Sequence, residues 1–283
     1  MNKIRKRITG FCRVMLVVLI SVFMTGCGRS ESDRPAEKDK KTQEEQTEFI
    51  GPEKPKGFMD SREKIKTHMK QYPKWILEFL DTHREAVDWV AGYPEYMKNS
   101  EEEIEEKALQ PVELKNYKVV NDIPLFLQWD SDWGYASYGN GVIGVEGCGP
   151  TCLSMVAVRL KQDLSMTPKW MADFSEENGY YLSDTGTDWN LMEYGAEKLG
   201  IHSKQIMSWS EDAVKSELEL GRPMICSMGA GDFTNAGHFI VLAGIADDGR
   251  IIVHDPNSPK NSEQLWDVWT LLNQMKAMWS FWV

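Results

Sequence analysis

Gly147-Cys148-Gly149-Pro150-Thr151 heads an apolar stretch to Lys161 that reads as a helix, and Gly237-His238-Phe239 and His254-Asp255-Pro256 follow on later β-like segments. A cysteine at a glycine-rich helix entry, followed by a histidine and a carboxylate on strands, is the raw material of a thiol nucleophile with its base and orienting acid. The text between these motifs decides the fold. Thr167-Pro168 opens a helix ending near Gly179, Thr187-Asp188 one ending at Gly200, and Ser210 one ending at Gly221. Each closes on a glycine just past its last periodic residue. After Pro223 the period changes to short β-like runs over 224–227, 238–246, 250–255 and 277–282, with Asp248-Gly249 as a hairpin turn. Helices first and an antiparallel sheet afterwards predict an α+β fold rather than a doubly wound α/β sheet.

Outward from this core the chain changes character. Residues 58–115 form a helical extension in which Asp60 with Glu63, Thr82 with Glu85, and Ser100 with Glu103 have capping-box spacing. Ile65, Met69, Ile76, Phe79, Leu80, Val87 and Val90 recur at three- and four-residue steps, giving one apolar face. Helices this short are not stable alone, so the face must lie on the main domain or on a protein partner. Pro73, Gly92-Tyr93-Pro94 and Pro111 punctuate the segments, and Glu101 to Glu106 reads as a solvated face. Residues 27–57, rich in Ser, Asp, Glu, Lys and Gln, cannot bury a core and are predicted as a flexible tether.

Residues 1–26 carry Lys3, Arg5, Lys6, Arg7 and Arg13 and no acid, then an apolar run from Val14 to Met24. That run is shorter than the ~20 residues a membrane span needs, and it reads as the h-region of a signal peptide. Thr25-Gly26-Cys27 resembles a bacterial lipobox, with Met24 where leucine is usual. It predicts a lipoprotein anchored through Cys27 at the outer face of the cell membrane. Ordinary signal cleavage, with Cys27 a bystander, is the alternative. Cleavage removes five positive charges and no negative ones, so the net charge of −11 becomes −16. So acidic a chain has no electrostatic footprint for nucleic acid. Of five cysteines, Cys148, Cys152 and Cys226 remain besides Cys27, without CxxC spacing. A disulfide-stapled scaffold is therefore not expected.

Four motifs in order carry a family resemblance: Gln128-Trp129-Asp130-Ser131-Asp132-Trp133-Gly134, then Gly147-Cys148-Gly149-Pro150-Thr151, then Gly231-Asp232-Phe233-Thr234 with Gly237-His238-Phe239, then Asp255-Pro256-Asn257-Ser258. Together they resemble the C39-like branch of the papain-like cysteine peptidases, over a domain of residues 116–283. The resemblance implies a papain-like fold in which a helical half carrying the nucleophile packs on the antiparallel sheet. It also implies Cys148 as nucleophile, His238 as general base, Asp255 as its orienter and Gln128 as oxyanion donor, acting on a peptide or protein substrate without a cofactor. The chain lacks a Walker A motif, which separates it from the peptidase portion of the exporters that trim double-glycine leaders.

Elementary chemistry bears on each position independently. A helix N-terminus favours a thiolate, and Gly147 and Gly149 allow a substrate carbonyl close to the backbone. Gln128 would pair its side-chain amide with the Cys148 N–H. Between the two histidines of the hairpin, strand parity decides. With Asp248-Gly249 as a two-residue turn, Asp255 falls opposite Leu242, on the face of His238, while His254 points to the other face. In that register Asp255 still lies four residues along from His238, about 13 Å at ~3.3 Å per residue, and a bulge, twist or altered exit must close the gap. Cys152 and Cys226 are expected in the core, and His68, His83 and His202 as ordinary helix or loop residues. A metal site is not expected, since HExxH, paired CxxC and an EF-hand loop are all missing. Two further readings use the same thiol or none: a peptidoglycan amidase or peptidase, or an acyl transferase, and a non-catalytic surface binding lipoprotein.

Overall fold

In a computed structural model the described residues are 60–183 and 186–283. The predicted signal peptide, Cys27 and the tether over 27–57 lie outside them. Four short helices come first: α1 (Ser61–Thr67), α2 (Lys74–Thr82), α3 (Val87–Tyr96) and α4 (Glu101–Ala108). A single turn, α5 (Ile143–Glu146), leads into α6 (Cys148–Lys161), followed by α7 (Pro168–Glu177), α8 (Tyr194–Lys198) and α9 (Glu211–Glu219). Late in the chain come α10 (Pro259–Glu263) and α11 (Val268–Leu272).

One antiparallel sheet takes six strands: β1 (His202–Gln205), β2 (Met224–Met228), β3 (His238–Ile245), β4 (Ile251–His254), β5 (Leu265–Trp266) and β6 (Met275–Trp282). Their order across the sheet is β5-β4-β3-β2-β6-β1. The sheet separates two apolar cores because its side chains alternate. Ile225, Phe239, Val241, Ala243, Ala277, Trp279 and Phe281 face the side of α6. Met224, Cys226, Ile240, Leu242, Ile251 and Val253 face the side of α9 and α11. Helix α6 is buried at every position from Gly149 to Val158, as expected of a helix that is apolar all round.

The extension belongs to the first of these cores. Ile65, Ile76, Phe79, Trp89, Val90 and Ile104 share it with α6 and α7. Of the two homes the sequence allowed for that apolar face, the main domain is the one found. Trp89 is seated where two glycines leave room: a Cβ on Gly144 would lie 2.6 Å from its Cζ2, and one on Gly134 2.8 Å from its Nε1. Below it, the buried Lys169 pairs with Glu105 of α4 and, at 2.6 Å, with Asp173.

Several local expectations change. Pro94 lies inside α3 instead of ending it. Glu105 is not a solvated charge: besides Lys169 it accepts the Ser137 N–H at 2.8 Å. The capping box forms at Ser100 and Glu103, but Thr82 is the last residue of α2, so Thr82 and Glu85 form none. The helix expected over Thr187 to Gly200 is a 3-10 turn at Trp189–Leu191 followed by the short α8. Strand β1, polar throughout (His202, Ser203, Lys204, Gln205), gives no apolar alternation and was not foreseen; it pairs only with β6 at the sheet edge.

Candidate active site

Helix α6 begins at Cys148 with Gly147 as its N-cap, and no side chain caps it. Its first amides are therefore left for another acceptor. The glycines beside Cys148 are required by packing as well. A Cβ on Gly149 would lie 2.6 Å from Thr187 Oγ1, and one on Gly147 2.7 Å from the Ile143 carbonyl oxygen. Thr187, on a short strand paired with Tyr181 and Leu182, thus presses directly on the start of α6.

His238 is the first residue of β3 and Asp255 leaves the end of β4. His238 Nε2 donates to Asp255 Oδ1 at 2.7 Å, with both side chains buried. Two irregularities bring them together. The Ala246 N–H bonds the Arg250 carbonyl at 2.8 Å, closing a loop of three residues, 247–249, rather than two, with Gly249 at φ +82°. This is the hairpin type that ends on a left-handed glycine, and it sets Ile251 opposite Ile245. A bulge then leaves Ala243 unpaired, so that Val253 meets Leu242 and His254 meets Val241. Continued by one residue, the register puts Asp255 opposite Ile240, two positions from His238, or about 7 Å at ~3.3 Å per residue. Each shift alone would have turned Asp255 to the wrong face, because a one-residue slip reverses every side chain. Taken together they keep the parity and halve the distance.

Asp255 is held from all sides. Its Oδ1 also accepts the Asn257 N–H at 2.8 Å, its Oδ2 accepts Asn261 Nδ2 at 2.8 Å, and its own N–H goes to Ser262 Oγ at 2.9 Å. Burial alone would push the His238 imidazolium down. Asp255 beside it outweighs that, with a further hydrogen bond to the Cys148 thiol, and raises His238 to about 10. Since Nε2 is taken by Asp255, Nδ1 is the ring nitrogen left to serve a thiol. His254 behaves oppositely. It is fully buried, its Nδ1 bonds the Pro124 carbonyl at 3.3 Å, and burial pushes it down to about 4. It is a neutral core residue on the other face. Burial pushes the thiols of Cys152 and Cys226 up.

Gln128 is buried, with its N–H bonded to the Pro256 carbonyl at 2.7 Å. Its Nε2 donates to the Gly144 carbonyl at 3.1 Å, while Oε1 has no partner. A side-chain amide has two N–H donors, so one remains after the bond that orients it. Trp129 Nε1, next in the chain, donates to Asn257 Oδ1 at 3.1 Å, which ties this segment to the loop behind Asp255.

Three contributors escaped the sequence reading. Asn261 had no motif of its own, although Ser258-Pro259 marks the helix start on which it sits. His83 is not an ordinary loop residue. It stacks on Phe79 with ring centroids 4.2 Å apart, and it lies within electrostatic reach of His238 and Asp255. Burial, with His238 adding to it, lowers its affinity for a proton. Glu85 bonds Ser258 Oγ at 2.7 Å and the Lys260 N–H at 2.9 Å.

The model of the Peptidase_C39 like family matches residues 120–281, more than half of the chain. No curated protein matches. Among solved structures, a protein from Bacillus anthracis described as a putative C39-like peptidase aligns over 58% of this chain and 96% of its own. The sequence identity is 14% and the TM-score 0.34, too distant to carry an assignment.

Proposed function

We propose, from the premise that this chain belongs to the C39-like peptidase family and is a cysteine peptidase, that it hydrolyses peptide bonds through Cys148, His238, Asp255 and Gln128. We place it outside the cytoplasm, anchored to the membrane through Cys27. The observation that carries the catalytic assignment is the buried His238–Asp255 pair at 2.7 Å, with Cys148 at the start of α6 near enough to act on the same imidazole. What supports the location is the basic, then apolar start ending in Thr25-Gly26-Cys27.

The reaction follows from the donors and acceptors present. The proton of Cys148 passes to His238 Nδ1, and Sγ attacks the carbonyl carbon of the scissile amide. The C–O π bond opens and the oxyanion is met by the Cys148 N–H and the free N–H of Gln128. The oxyanion collapses, the C–N bond breaks, and the imidazolium gives its proton to the leaving amine. Water then adds to the thioester with its proton taken by Nδ1. The second collapse releases the acid and restores the thiol. Asp255 holds the ring by Nε2 throughout, so that Nδ1 is the nitrogen that exchanges protons.

The test is incubation of the full chain with a proteome-derived peptide pool, reading new termini by mass spectrometry. New carboxyl termini that vanish with Cys148→Ala support hydrolysis. Products in which the acyl part is joined to another amine would replace hydrolysis by acyl transfer. A pool unchanged by the wild-type protein would overturn the proposal.

A further inference from the structure

The loop behind Asp255 is held at its far end by the helical extension. Helix α10 has five residues, and Asn261, whose side chain fixes Asp255 Oδ2, sits within it. One short turn cannot hold itself. Its N-cap Ser258 accepts the Asn261 N–H at 3.1 Å with the same hydroxyl that donates to Glu85 Oε1 at 2.7 Å. Glu85 Oε2 takes the N–H of Lys260, one of the orphan donors of the first turn, at 2.9 Å. A carboxylate there is also favoured by the helix dipole. Glu85 therefore completes the cap of a helix 175 residues further along the chain. The path from it to the catalytic pair runs Glu85, Ser258, Asn261, Asp255, His238, each step a hydrogen bond of 2.7–3.1 Å.

From this geometry we infer that the helical extension is part of the active site, with Glu85 the positioning residue that sets Asp255 against His238 by capping α10. Substrate turnover then depends on the extension being docked, which no reading of residues 116–283 alone would provide. The inference rests on the assignment of His238 and Asp255 above. The titratable groups facing His238 are Asp255 beyond β4, Cys148 on α6 and His83 between α2 and α3. His83 reaches the site from the same connection that carries Glu85, so one turn of the extension supplies both a neighbour of the pair and the cap of α10.

The test is an NMR titration of the imidazoles in the full chain, wild type against Glu85→Ala and Glu85→Gln, with kcat, KM and thermal melting measured alongside. Glu85→Ala is expected to lower the His238 midpoint by roughly half to one pH unit. Its kcat should fall about three- to tenfold, the worth of one or two hydrogen bonds, with KM nearly unchanged. Glu85→Gln keeps one acceptor oxygen and should fall between Glu85→Ala and wild type. A raised wild-type midpoint that Glu85→Ala leaves in place overturns the inference while the catalytic assignment stands, whatever happens to the melting temperature. Equal shifts in the two variants would reveal a through-space charge and also overturn it. A wild-type His238 titrating near its ordinary value would remove the catalytic pair itself, and the inference with it.

Discussion

Asp255→Asn, made in a Cys148→Ala background so that the thiol does not titrate beside the ring, changes how stability depends on pH. In the native protein Asp255 Oδ1 accepts from both His238 and Asn257, so the asparagine would keep its carbonyl oxygen there and lose the charge. In the native protein His238 is raised to about 10, with Asp255 the largest raising influence and Cys148 a smaller one; with Cys148 replaced, Asp255 still holds it above an unfolded value near 6.5. A raised value means that the folded state holds a proton the unfolded state has released. The pair's contribution is therefore fully present below about pH 6.5 and is lost as pH rises through the raised value of His238. The useful window is pH 6.5 to 8.5. Below it His254, pushed down to about 4, imposes the opposite slope, and above it the buried thiols of Cys152 and Cys226 begin to contribute. Across those two units a single raised histidine costs the fold about 2 kcal/mol, at ~1.4 kcal/mol per unit. Urea denaturation at half-unit steps should show that decline in Cys148→Ala and little of it in Cys148→Ala with Asp255→Asn. Parallel curves for the two proteins would mean that Asp255 does not hold the His238 proton.

Other sites give sharper local outcomes. Gly149→Ala places a methyl 2.6 Å from Thr187 Oγ1 and should cost about 1–3 kcal/mol by chemical denaturation; an unchanged midpoint contradicts the packing reason for this glycine. Glu105→Ala removes one of the two carboxylate partners of Lys169, whose side chain is 4% exposed. Because Asp173 remains, the loss should be about 1–2 kcal/mol, below the 3–5 kcal/mol of a severed buried pair. Gln128→Ala should lower kcat roughly 10²–10³-fold with little effect on KM; a change confined to KM would make it a binding residue.

What the sequence made legible follows the range of each physical signal. Periodicity and turn chemistry are local, and they marked α6, β2, β3, β4 and β6 closely, because the first four have Gly or Pro at or near an end and β6 is a mostly apolar run. The polar edge strand β1 lacks that signal. Parity is robust to any even shift, so it set Asp255 on the face of His238 although the assumed turn was one residue short and the bulge at Ala243 unseen. The bulge had one local mark, the isolated Gly244 beside Ala243, which the reading by parity did not use. Capping arithmetic failed where the partner was distant in sequence. Glu85 has the spacing to cap its own neighbourhood, and only the packed fold shows that its carboxylate caps α10 instead. Glu105 was lost in a charge run for the same reason, since its buried partner Lys169 lies on another helix.

The central claim is a reactive Cys148 paired with His238, and iodoacetamide alkylation of Cys148 across pH 4 to 9 tests it most directly. The account predicts fast labelling of Cys148 below pH 7 that slows in His238→Ala, while Cys152 and Cys226, both fully buried, stay unlabelled until the protein unfolds. Labelling of Cys148 that rises only near pH 8.5, at the same rate with and without His238, would contradict it.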